Sequence, residues 1–151
     1  MKQLNTTFLL LCVFVISCSS SDNNTTVIQN TQLVAKGYFM PQDGEFNPNN
    51  QYLAITSQSQ WDNLIDTLQD ADPNVLEGFT ETDIDFNAFE VIAVIQKKNS
   101  STTVDITNVA ETHNNIIVTV KNLSQSAIQD VAYPYHFIKI EKSNKPVVFE
   151  Q

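Results

Sequence analysis

The eight residues Glu90 to Lys97 (EVIAVIQK) constrain the fold more than any other stretch of this chain. Valine and isoleucine occupy both parities of the run, so a strand made from it is apolar on both faces and must be covered on both. That places it at the centre of a sheet and requires other segments to flank it. Several candidates alternate in the way a half-buried strand does. In the first, Leu33, Ala35, Gly37 and Phe39 alternate with Val34, Lys36 and Tyr38. Gln51 to Thr56 is a short strand, and Thr102 to Val109 alternates with Val104 and Ile106 inward and Asp105 and Thr107 outward. His113-Asn114-Asn115 supplies turn chemistry before Ile116, Val118 and Val120 resume the pattern. Tyr133 to Glu141 and the short Pro146 to Phe149 complete the set.

One segment has the helical period instead. Trp61, Leu64, Ile65 and Leu68 form a single apolar stripe at i, i+3, i+4 and i+7, with Asp62, Asn63, Asp66 and Thr67 on the wet face. Ser59 with Asp62 three residues on makes a capping box, and the helix should stop near Gln69, before Pro73. Residues 70 to 89 form a long connection from which Ile84 and Phe86 reach into the core. Six or seven strands with one amphipathic helix, at about residues 59–69, predict an α+β domain with an antiparallel-rich sheet.

The N-terminus is of another kind. Phe8 to Ile16 is an uncharged apolar run of nine residues, too short to cross a bilayer, which takes about 20. It ends in Ser17-Cys18 and turns abruptly polar at Ser19-Ser20-Ser21-Asp22. This order of features resembles a bacterial lipoprotein signal, which implies removal of residues 1–17 and lipidation of the Cys18 sulfur. Acyl chains contribute about 0.8 kcal/mol per buried CH₂, enough for two or more to hold a protein at a membrane. Residues 18–31 read as a polar tether, and 32–151 as a single domain. Cys12 leaves with the signal, so no disulfide or thiolate metal site is expected in the domain.

From the helix onward the chain also resembles the PrcB-like domain family, named for the small lipoprotein subunit of a spirochaetal surface protease complex. The resemblance covers roughly residues 55–150 and rests on Trp61 and Leu64, Ile84-Asp85-Phe86, Val91-Ile92-Ala93-Val94, Ile117-Val118-Thr119-Val120 and Pro134-Tyr135-His136-Phe137-Ile138-Lys139-Ile140. It implies an accessory, non-catalytic domain. Many relatives carry a glycine-rich turn where this chain has Lys98-Asn99-Ser100-Ser101-Thr102-Thr103.

Charge excludes one class of function. Eight lysines, no arginine and 17 acids give a formal charge of −9, with no cationic stripe for nucleic acid. Eleven acids and no base lie between Lys36 and Lys97. Within that stretch Glu81, Asp83 and Asp85 share one side of an extended segment and are candidates for calcium. No glycine-rich phosphate loop, nucleophile elbow or paired-histidine spacing is present, so no cofactor is expected. His113 reads as a solvated turn residue, and His136, which shares a strand face with Ile138 and Ile140, as a buried one. Tyr133, Tyr135 and His136 are the candidate partner-binding residues if Tyr-Pro-Tyr is exposed.

The leading expectation is therefore a non-catalytic protein, lipid-anchored in the cell envelope, on the outer membrane of a Gram-negative bacterium. Its domain binds another envelope or secreted protein, a protease complex being one candidate. The alternatives are a peptidase inhibitor acting through strand-connecting loops and a hydrolase using His136.

Overall fold

The computed structural model describes residues 26–28, 30–41, 49–99, 102–124 and 131–151. Cys18 and the signal segment lie outside them, as do residues 100–101 of the turn that departs from the PrcB-like pattern. The described elements are β1 (Thr26–Val27), β2 (Gln32–Phe39), β3 (Gln51–Ile55), α1 (Gln58–Ala71), a 3₁₀ turn (Val75–Gly78), β4 (Phe89–Ile95), β5 (Thr102–Glu111), β6 (Ile116–Ser124), β7 (Tyr133–Glu141) and β8 (Val147–Glu150).

The apolar run falls on β4, and it is covered on both faces. β4 sits inside an antiparallel sheet of order β2-β7-β4-β3. One face of that sheet carries Val91, Ala93, Ile95, Tyr133, Tyr135 and Phe137 and packs under α1. The other carries Ile92, Val94, Ile138 and Ile140 and packs against a second sheet, of order β1-β5-β6-β8. The architecture is α+β and antiparallel-rich as expected, but its strands divide into two four-stranded sheets, giving three layers. Only β6 and β8 pair in parallel among the described strands. Thr26–Val27, inside the segment read as a tether, pairs with the end of β5.

The helix begins two residues earlier than its pattern indicates. Ser57, not Ser59, is the N-cap, accepting from Gln60 N–H. Gln60 Oε1 accepts from the N–H of Thr56, one residue before the cap, at 2.9 Å, so Ser57 and Gln60 form a variant of the capping box. At the other end Ala71 is buried, extending the stripe Trp61, Leu64, Leu68 by one more contact before Asp72 caps and Pro73 forbids continuation. Trp61 is the centre of this layer. Its indole N–H donates to Thr82 O at 2.9 Å, and its rings meet Phe79, Phe86 and Phe137. Ile84 and Phe86 do enter the core.

Candidate functional site

Strict alternation fails at two places, and they face one another. In β2 the register with β7 shifts between Leu33 and Ala35, so Val34 and Ala35 are both fully buried and Leu33 is left 48% exposed. In β5 the register with β6 shifts between Ile106 and Asn108, which leaves Thr107 as the extra residue and buries both Val109 and Ala110. A bulge bends its strand and increases local twist. Between the two lies a cleft of about 400 Å³ whose walls include Val27, Ile28, Leu33 and Val109 and whose floor is His136 and Ile138 of β7.

His136, at that floor, meets two charged groups that lie beside the cleft. Lys36 and His136 are cross-strand partners of β2 and β7. Asp105 Oδ1 lies 2.9 Å from Lys36 Nζ and 2.9 Å from His136 Nδ1. The N–H of Ile106 also approaches His136 Nδ1, at 2.9 Å. One ring nitrogen cannot accept from Ile106 and donate to Asp105 in the same instant. Burial, reinforced by Lys36, pushes the imidazole below its ordinary pKa, against the pull of Asp105. The neutral ring, with Nδ1 accepting from Ile106, is thereby favoured at neutral pH. Asp105 was expected outward, but β5 lies against β7 here and brings its carboxylate to Lys36 and His136.

Other expectations are changed by the structure. Tyr133 and Tyr135 do not form a recognition edge: they are 2% and 3% exposed, and face α1 and the 3₁₀ turn. Burial raises the pKa of both phenols, and for Tyr135 Asp72 adds to the effect. His136 lines the cleft, on the opposite face of β7 from the two tyrosines. The calcium candidates do not converge. Glu81 is drawn to Lys139 Nζ at 2.5 and 2.8 Å, while Asp85 accepts from the backbone and side chain of Asn87 at 2.9 and 3.1 Å. Among the described residues no three His, Cys, Asp or Glu side chains are grouped to hold a metal. His113 is exposed, in a turn organised by Thr112 Oγ1, which accepts from Asn114 and Asn115 N–H.

Lys36 and Asp105 were missed as site residues because their meeting depends on the contact between two sheets. A signal for Glu90 did exist, since a carboxylate directly abutting a doubly apolar strand is poorly placed to reach water. It is 1% exposed.

The fold and cleft define a class of protein: a β-sandwich with one outer face covered by a helix, and a cleft between two bulged strands whose floor histidine joins a polar cluster beside it. Comparison of the chain with protein-family models, curated proteins and solved structures finds no match. Among the described residues no helix is long and apolar enough to cross a membrane.

Proposed function

We propose that this chain is a lipid-anchored bacterial envelope protein whose domain works by binding an extended segment of another protein in the cleft over His136. The paired bulges carry this reading. The bulge in β2 leaves Leu33 48% exposed, and Val27 of β1, 53% exposed, joins it at an apolar rim of the cleft that His136 also lines. Between Thr103 and Asn108, β5 pairs with β6 but with no second strand among the described residues, which suits strand addition by a partner. The anchor rests on the apolar run and Cys18, and a protease as the partner rests on the PrcB-like resemblance alone.

Binding is favoured over hydrolysis because the neutral His136 ring accepts from the Ile106 N–H at Nδ1, which occupies its basic nitrogen and leaves Nε2 protonated, so neither nitrogen is free to act as a general base. A photo-crosslinking residue at Leu33 in intact cells should trap one stoichiometric envelope or secreted protein, while the same residue at exposed Asp62 traps none. Leu33→Asp should weaken capture at least tenfold with an unchanged melting curve. Equal crosslinking from both positions would refute the cleft as the contact surface. For the anchor, a Cys18→Ser chain that still incorporates labelled fatty acid would refute lipidation at that residue.

A further inference from the structure

On the opposite rim of the sandwich, where β3 and β8 are the outer strands, lies a second cavity of about 460 Å³. Glu90 lines it together with Ala54 and Thr56 from the end of β3, the loop Lys142 to Pro146, and Val147 of β8. The Glu90 side chain is buried, yet its Oε1 has no hydrogen-bond partner among the described residues. A carboxylate oxygen taken from water without a donor is costly, and burial pushes this carboxyl up against the opposing effects of the Ser143 backbone N–H and the Lys142 charge.

The cavity wall also holds donors. Lys142 Nζ donates to Thr56 O and Phe86 O at 3.1 and 2.6 Å. Lys145 Nζ donates to Glu111 and, at 2.7 Å, to Thr112 O. An ammonium has three N–H groups, so each lysine has one beyond those bonds. A simple cation would be drawn to Glu90 and repelled by the two lysines, and a simple anion would meet the reverse. A molecule carrying both charges satisfies both, and the volume is within the range of small-molecule sites.

We propose that this cavity binds a small zwitterion, its ammonium group on Glu90 Oε1 and its anionic group on Lys142 and Lys145. A free α-amino acid and a phosphoethanolamine headgroup share that chemistry. The site is independent of the His136 cleft, and neither reading stands or falls with the other.

The test is a thermal-shift titration of the full chain in detergent with L-alanine, L-serine and phosphoethanolamine, against ethylamine, acetate and glucose. The zwitterions should raise Tm saturably, by about 5–10 °C at a hundredfold excess over Kd. A response to phosphoethanolamine alone identifies a headgroup as the source, and a response to the amino acids alone identifies a free metabolite. Glu90→Gln should lower affinity at least tenfold while the unliganded protein melts no lower than wild type. Should that variant fold poorly, backbone amide shifts of the wild type on L-serine addition decide the matter, and they must centre on residues 90 and 143–147. No saturable shift with any zwitterion to about 10 mM, or equal response to ethylamine, acetate or glucose, would overturn the proposal.

Discussion

Two glycines face one phenol oxygen, and that contact yields a sharp prediction. A methyl group built on Gly78, in the 3₁₀ turn, would lie 2.3 Å from Tyr135 Oη, while one on Gly37 would lie 2.9 Å from the same atom. The ring cannot swing away cheaply, since it packs against Phe39, Phe79 and Phe137 with centroids 6.2, 6.0 and 5.4 Å apart. Overpacking of this kind costs about 1–3 kcal/mol, offset by about 0.4–1 kcal/mol because alanine restricts the unfolded chain. Gly78→Ala should therefore lose about 1–2 kcal/mol, or roughly 2–8 °C in Tm. Tyr135→Phe removes the obstructing oxygen. Alone it should cost about 1 kcal/mol or less, because the hydroxyl's bond to Val75 O is long, at 3.4 Å. In the double variant the nearest atom to the new methyl is Cζ at 3.5 Å, an ordinary contact. The pair should then be more stable than Gly78→Ala alone, with a favourable coupling of about 1–2 kcal/mol. Gly37→Ala is the internal control: Cζ there remains at 3.1 Å, so Tyr135→Phe should rescue it by less than half as much. Urea unfolding of the wild type and the five variants, at constant m, measures all of this. Simple additivity at Gly78, or equal rescue at both glycines, would refute the packing argument.

Three further outcomes are expected. His136 has a folded pKa below its ordinary 6.5, so the unfolded chain binds the extra proton. Its contribution is present above about pH 6.5 and is lost as pH falls toward the folded value; His136→Gln should flatten that part of a urea-midpoint profile, and an unchanged slope would contradict it. Lys139 is 8% exposed, paired with Glu81 and set 4.8 Å from the Phe89 ring centre. Glu81→Ala, which strands the cation, should cost about 1–2 kcal/mol after allowance for solvent at the carboxylate, whereas Lys139→Met should be near neutral by thermal melt. Ser57→Ala should cost about 0.5–1 kcal/mol in urea unfolding, at the lower end for a cap because its bond to Gln60 N–H is 3.4 Å.

What could be read from the chain alone divides along a physical line. Short-range periodicity placed α1 and β4 well, because Trp61, Leu64 and Leu68 or Val91 to Ile95 carry their burial in their own spacing. Periodicity could not assign the strands to two sheets. β7 makes the reason plain: Tyr135 and Phe137 face the helix layer while His136, Ile138 and Ile140 face the second sheet, yet His136 and Lys139 make the strand look half-polar. Each polar group is tolerated through a partner distant in sequence, Asp105 or Glu81, and no local pattern announces such a partner. The bulges were hidden for a related reason. A one-residue slip reverses which side chains are buried, and the Leu33-Val34-Ala35 run fits either register until β7 fixes it. The cleft is made by those slips, so it could not be found by extending the alternation that predicted the strands. The same reasoning favours the bulges as features with a use: a regular β2 would bury Leu33, whereas the bulged strand exposes it beside the only histidine on the sandwich interior among the described residues.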